Sequence, residues 1–260
     1  LVILSNLDYN TGMKKAQKCY RNADFLRSAS ARSLRILAEY LEPKKRFEDH
    51  QVKNTVVFFG SARVSPRPSP GTFDHSSYYQ AAEEFAYRLG QFSRELERGV
   101  NDFAICTGGG PGIMEAANKG ATRARVPSIG LNISLPLEQY PNDFITPSLN
   151  FEFHYFFMRK LWFLYHAKAI VFFPGGYGTL DELFETLTLV QTRKYEKYQI
   201  PILLYDRDYW MDLINFEMLV SRGYISAGDT DYLHFFSSVD EGMTLIKPLL
   251  LKSIKQYSKG

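Results

Sequence analysis

Five short apolar runs, each followed by a stretch with helical spacing, constrain this chain more than any other feature. They are Thr55–Gly60, Asp102–Thr107, Ser128–Leu131, Ala169–Phe173 and Ile200–Tyr205. Near-continuous apolarity over so few residues marks strands buried on both faces, which arise when helices cover both sides of a mostly parallel sheet. Helices are predicted between them at Tyr78–Glu97, Ile113–Arg125, Tyr155–Ala167, Thr179–Arg193, Tyr209–Val220 and Val239–Ile254. Strand and helix alternate, so the expected architecture is α/β and doubly wound. Ligands of such sheets gather at the C-terminal strand ends, where the strand order reverses. Ahead of the alternation, Thr11–Leu41 reads as helix: Phe25, Leu26, Ala29, Leu34, Leu37, Ala38 and Leu41 recur at helical spacing, with no proline before Pro43. Pro43 to Asn54 reads as a linker. Residues 1–50 are therefore expected to form a helical arm with its linker, and 51–260 the α/β domain.

Two strand ends carry glycine-rich turns that open helices, Gly108–Gly112 and Pro174-Gly175-Gly176-Tyr177-Gly178-Thr179-Leu180-Asp181-Glu182. Glycine lets the backbone turn sharply and bring its N–H groups close to an anion. The helix that follows adds unpaired first-turn donors and the positive end of its dipole. Together these bind phosphate. One such turn alone is also what a tight βα connection looks like; two together favour the phosphate reading. Neither contains a Walker lysine or the GxGxxG spacing, which argues against nucleoside triphosphate hydrolysis and against a dinucleotide. Glu182 falls about one turn into its helix, within reach of whatever the phosphate is attached to.

Adjacent cations on a helix point about 100° apart, so Arg159 and Lys160 cannot serve one partner. The preceding Phe151–Phe157 is so aromatic that the segment must be largely buried, and a buried arginine needs an anion. Glu182 or a ligand phosphate could supply it. The 31 basic and 28 acidic residues leave a net charge of +3, too mild to argue for nucleic acid. Cys19 and Cys106 fit no metal-ligand or CxxC spacing. No apolar run approaches the roughly 18 residues that span a bilayer. Leu1–Leu4 is too short for a signal-peptide core. A cytoplasmic protein without membrane contact is the expectation.

Gly109-Gly110-Pro111-Gly112-Ile113-Met114-Glu115, then Met158-Arg159-Lys160, then the PGGxGTxxE motif from Pro174 to Glu182 resemble the Lonely Guy family. Its members are cytokinin riboside 5′-monophosphate phosphoribohydrolases, long labelled possible lysine decarboxylases. The likeness covers roughly Thr55 to Tyr205, and Gly60-Ser61-Ala62-Arg63 resembles the family's first nucleotide-binding turn. The arm, the Pro/Ser-rich loop from Val64 to Thr72 and the C-terminal extension are similar to the larger, second type of the family. The resemblance implies a Rossmann-like, nucleotide-binding catalytic domain over 51–260. It implies Arg159 and Glu182 as catalytic residues and Gly175, Gly176, Gly178 and Thr179 as the 5′-phosphate cradle. Met158 and Lys160 would flank the ribose phosphate, with Gly60, Ser61, Gly109, Gly110 and Glu115 contributing from the other turns and Asn132 a weaker candidate.

The implied reaction is hydrolysis of the N-glycosidic bond of a nucleoside 5′-monophosphate, a cytokinin riboside monophosphate or AMP. It gives free base and ribose 5-phosphate without metal or cofactor. A non-catalytic nucleotide or cofactor binder on the same scaffold is the alternative. Pyridoxal chemistry requires a Schiff-base lysine and a partner for the ring nitrogen; Lys160 and Lys168 flank the region, but nothing places that partner. His154, His166, Trp162 and Phe163 read as packing residues. The aromatic excess in Phe151–Phe157 fits the family's habit of pairing subunits, so at least a homodimer is expected. The basic residues of the arm read as a solvated face or an assembly contact.

Overall fold

The computed structural model describes residues 16–67, 74–96, 103–135, 140–192 and 200–257. Seven strands form one all-parallel sheet: β1 Thr55–Phe59, β2 Ala104–Thr107, β3 Ser128–Ile133, β4 Asn150–Phe153, β5 Ala167–Phe172, β6 Ile202–Tyr205 and β7 Leu233–Phe236. Their spatial order is β4-β3-β2-β1-β5-β6-β7. The chain builds outward from β1 to one edge, returns, and builds outward from β5 to the other. The reversal lies between β1 and β5, whose register runs from Val56 opposite Ala169 to Phe59 opposite Phe172.

The period-two alternation of a strand divides the core into two layers. Val56 and Phe58 point to one face with Val171, Phe173 and Leu203, under helices α3 (Ser76–Glu95), α4 (Ile113–Ala124) and α9 (Val239–Tyr257). Val57 and Phe59 point to the other with Ile170, Phe172 and Leu204. That layer is covered by α2 (Arg32–Asp49), α5 (Phe156–Tyr165), α6 (Tyr177–Gln191), α7 (Arg207–Leu213) and α8 (Phe216–Ser221). The sheet is therefore doubly wound and Rossmann-like, as its apolar strands require.

The N-terminal segment differs from its expectation. One helix from Thr11 to Leu41 is replaced by short pieces, Cys19–Arg21, α1 (Ala23–Arg27) and Ala29–Ala31, before α2 begins; residues 11–15 lie outside the described set. Asn22 breaks the run by capping α1, its side chain accepting from the Phe25 N–H. The expected linker does not start at Pro43, because α2 continues through it to Asp49. A proline inside a helix leaves the carbonyl four residues back without its donor. Here that carbonyl belongs to Glu39, and the Trp162 indole N–H donates to it at 2.9 Å. Beyond Pro43 the helix buries Phe47 against Phe151 and Trp162. The i,i+4 pair Lys44–Glu48 lies on its exposed side, while Arg46, paired with Glu42, donates to the Ser148 and Asn150 carbonyls.

Strands β4 and β7 occupy the two edges and are additional to the five expected runs, while the helix read from Tyr209 to Val220 is two, broken at Ile214 and Asn215. The loop expected from Val64 to Thr72 is described only to residue 67. Among the described residues, no helix is long and apolar enough to cross a membrane.

Candidate active site

The glycine turns converge at the reversal point. Ser61, just past β1, stitches two of them: its N–H donates to the Pro174 carbonyl at 3.1 Å, and its own carbonyl accepts from the Ile113 N–H at 3.1 Å. Gly112 has φ +72°, and a Cβ there would run into the Ser61 carbonyl, so no other residue fits the approach. These turns floor a cleft of about 950 Å³ whose lining includes Gly60, Ser61, Arg63, Asn132, Arg159, Glu182 and the whole run Pro174–Leu180.

The third turn is compact at its start and open beyond. A Cβ on Gly175 would collide with the Thr179 hydroxyl, whereas at Gly176 and Gly178 no atom of the described residues lies within 4 Å of such an atom. The Gly175 peptide is thus pressed onto the first turn of α6, while the next residues expose bare backbone to the cleft. This is the geometry in which helix N-terminal donors reach an anion.

Arg159 enters from α5 and Glu182 from α6. One guanidinium nitrogen, Nη2, lies 3.9 Å from Glu182 Oε1, an ion pair too long to be a hydrogen bond. The rings of Phe156 and Phe163 flank the guanidinium at 5.3 and 5.5 Å. Arg159 Nε is buried and has no hydrogen-bond partner among the described residues. Arg159 lines the cleft, where a planar guanidinium fork can donate to ligand oxygens. Against the expectation that adjacent cations cannot serve one partner, Lys160 also reaches Glu182, because the carboxylate offers Oε1 to Arg159 and Oε2 to Lys160. Its Nζ lies 2.9 Å from Asp181 Oδ2, 2.5 Å from Glu185 Oε2 and 3.8 Å from Glu182 Oε2. Glu182 is therefore held between two cations belonging to different faces of α5.

Glu182 is only 7% exposed. Burial pushes its carboxyl up to about 7, against the pull of Lys160 and then Arg159, with Glu185 and Asp181 adding to the rise. Arg159 does favour the ionised carboxylate, as the pairing of the two residues in sequence suggests, but burial is the larger effect. Arg159 is lowered by burial, opposed by Glu182 and Asp181. For Lys160, burial is outweighed by the hydrogen bonds to Glu185 and Asp181, and its ammonium is raised.

Other candidates fall outside the cleft lining. Met158 is buried in the core layer beneath α5. The carbonyls of Gly109 and Gly110 accept from the Asn142 side-chain amide at 3.0 Å each, and only Gly108 of that turn lines the cleft. Glu115 accepts from the Tyr79 hydroxyl at 2.6 Å and is not part of the cleft lining. Asn132 does line the cleft, but its amide nitrogen is spent on Asn150 Oδ1 and the Phe151 carbonyl. The lining also contains His75, Tyr78, Phe156, Tyr209 and Leu213, none of them among the site residues expected from sequence. Tyr209 has a usable signal, since it follows the end of the strand next to β5, where the ligand crevice of an open α/β sheet continues.

A family model described as "Possible lysine decarboxylase" matches residues 114–246, just over half of the 260-residue chain. The cytokinin riboside 5′-monophosphate phosphoribohydrolase LOG4 of Arabidopsis thaliana is 31% identical over 102 residues, 38% of this chain and 42% of that one. The pyrimidine/purine nucleotide 5′-monophosphate nucleosidase of Escherichia coli K12 is 29% identical over 133 residues, 46% of this chain and 27% of that one. Both matches thus span less than half the length of the relative. The crystal structure of TM1055 superposes with a TM-score of 0.51 at 20% identity, over 75% of this chain and 99% of that one, which bears on the fold alone. With the family model spanning half the chain and the PGGxGTxxE turn seated at the sheet's reversal point, the protein belongs to the family of possible lysine decarboxylases that includes the Lonely Guy phosphoribohydrolases.

Proposed function

We propose that the protein hydrolyses the N-glycosidic bond of nucleoside 5′-monophosphates, releasing the base and ribose 5-phosphate. The observation that carries this reading is the buried Arg159–Glu182 pair opening into the same cleft as the glycine turn of α6. A phosphate seated on Gly176, Gly178 and Thr179 leaves the attached ribose beside Glu182. Breaking its C1′–N bond builds positive charge on the anomeric carbon and ring oxygen, which an ionised carboxylate stabilises. The same carboxylate, once ionised, can take a proton from the attacking water. Arg159 holds ribose or phosphate oxygens through its planar fork and keeps Glu182 in place. Binding energy from the phosphate acts at a distance from the reacting bond. The names of the two relatives, one a phosphoribohydrolase and one a nucleosidase, agree in substrate class and differ in base.

The family's description would call for pyridoxal phosphate. Among the described residues lining the cleft there is no lysine: Lys160 is engaged by Asp181 and Glu185, and Lys168 is buried in β5. The residues present do not fit that cofactor, and no step is derived through it.

The subunit is proposed to work as a homodimer at least, since α5 presents Phe157, Leu161 and Tyr165 to solvent at i, i+4 and i+8. Incubation with AMP and with isopentenyladenosine monophosphate, following free base by chromatography, tests the reaction. Base released by the wild type and abolished in Glu182→Gln is expected. Nucleotide binding without release overturns hydrolysis in favour of a carrier or sensor.

A further inference from the structure

A chain of hydrogen bonds runs along the β6 side of the cleft to the phosphate turn. At its far end the Tyr78 hydroxyl, on α3, donates to Asp206 Oδ2 at 2.5 Å. Burial and then this bond raise the Tyr78 phenol above its ordinary range, so it stays a donor. Asp206 ends β6 with a left-handed backbone, φ +67°, unusual for a side-chain-bearing residue. Its other oxygen, Oδ1, caps α7 by accepting from the Tyr209 N–H at 3.3 Å. Tyr209 then reaches across to Gly175. Its hydroxyl donates to the Gly175 carbonyl at 2.6 Å and accepts from the Gly175 N–H at 3.3 Å. Next door, Trp210 is fully buried and its indole N–H donates to the Tyr205 carbonyl at 2.8 Å, so α7 is firmly seated.

The bond to the carbonyl matters for what it does to the following peptide. In a trans peptide the carbonyl of one residue and the N–H of the next point in opposite directions. Fixing the Gly175 carbonyl toward α7 therefore aims the Gly176 N–H away from it. Without such a tether this peptide plane could turn over, because Gly176 carries no side chain and no atom of the described residues crowds the place of its missing Cβ. A flipped plane would present a carbonyl dipole to an incoming anion where an N–H is needed. The Gly176 carbonyl joins the helix ladder by accepting from the Leu180 N–H at 3.0 Å, but its N–H precedes α6 and has no ladder position to prevent this.

From this we infer that Tyr209 is a positioning residue for phosphate recognition: its hydroxyl holds the Gly175–Gly176 peptide in the anion-accepting orientation, and Asp206 and Tyr78 hold Tyr209. The inference rests on the proposed reading of this turn as a phosphate cradle. It assigns Tyr209 no contact with the reacting bond, so its loss should weaken phosphorylated ligands selectively.

The test compares wild type with Tyr209→Phe by calorimetric titration with AMP, adenosine and inorganic phosphate, and by steady-state kinetics on AMP. The expected result is a roughly tenfold loss for AMP and for phosphate, the scale of one such hydrogen bond. Adenosine affinity should stay within about twofold, and kcat should change far less than KM. Equal weakening of AMP and adenosine, or no weakening of AMP, overturns the inference. Should Tyr209→Phe fail to fold, Tyr78→Phe decides: a smaller loss with the same preference for phosphorylated ligands supports it, and an unchanged AMP-to-adenosine ratio overturns it. Absence of base release by wild type overturns hydrolysis but leaves the titrations to judge Tyr209. A wild type that binds neither AMP nor phosphate overturns the cradle and the inference together.

Discussion

At the scale of single residues, the proposed activity and its cost both fall on Glu182. Its carboxyl titrates at about 7 rather than at the ordinary 4.5 because burial outweighs its two cations. If the ionised form stabilises the transition state, kcat/KM should rise about tenfold per pH unit below 7 and level off above it. A rate profile flat from pH 5.5 to 8 would contradict the role. The same shift is a statement about stability. The folded-state value lies above the unfolded one, so the folded chain binds more protons between pH 4.5 and 7 and loses stability as the pH rises through that window. A shift of this size amounts to about 3 kcal/mol. Glu182→Gln cannot ionise, so relative to wild type it should gain stability by up to that amount between pH 4.5 and 8, while turnover collapses. Urea unfolding at both pH values checks the sign. Arg159→Lys should lose turnover by about a hundredfold or more, because an ammonium keeps the charge but lacks the planar fork.

At the scale of elements, α2 and α5 are joined by a bond that a proline created. Pro43 cannot donate to the Glu39 carbonyl, and the Trp162 indole N–H does so instead. Trp162→Phe should therefore cost about 1–3 kcal/mol from the orphaned carbonyl, beyond the packing it loses. With Pro43→Ala the helix regains its own donor, so the same Trp162→Phe should cost roughly 1 kcal/mol less in that background. Additive costs in the double-mutant cycle would show that the indole bond carries no weight. This junction also shows where sequence reading stops. The core runs Val56–Phe59 and Ala169–Phe172 are legible because they are apolar on both faces, and the PGGxGTxxE turn because its glycines are clustered at a strand end and Gly175 has no room for a side chain. The continuation of α2 through Pro43 is not, since the donor that compensates lies more than a hundred residues away. Edge strands β4 and β7 lack the two-sided burial that marks the central ones, and most of Leu233–Phe236 is only partly buried. In the site, the glycines and the Arg159–Glu182 region can be read locally. Tyr78 and Asp206 cannot, because their alignment with Tyr209 depends on α3, β6 and α7 meeting.

At the scale of the whole molecule, the fold places one wall of the cleft on a helix whose opposite side is incomplete. Phe156 lines the cleft while remaining about half exposed, and Phe157, Leu161 and Tyr165 continue the apolar surface along α5. Leu34, Leu37 and Leu41 add exposed apolar residues on α2, whose Glu39 carboxylate accepts from the His154 and Tyr155 N–H groups just before α5. A second copy offering the same two helices would bury both stripes symmetrically, as a two-fold contact does. Such a contact would also cover Phe156 and fix the helix that carries Arg159. The proposed dimer is thus tied to the chemistry. Leu161→Glu places a charge twice in that contact and should yield a monomeric mass by light scattering. Turnover should fall with it through loss of order at α5, because Leu161 itself is not part of the cleft lining. Wild-type protein with a monomeric mass at micromolar concentration would overturn the assembly, and a monomeric Leu161→Glu with full turnover would break its link to the active site.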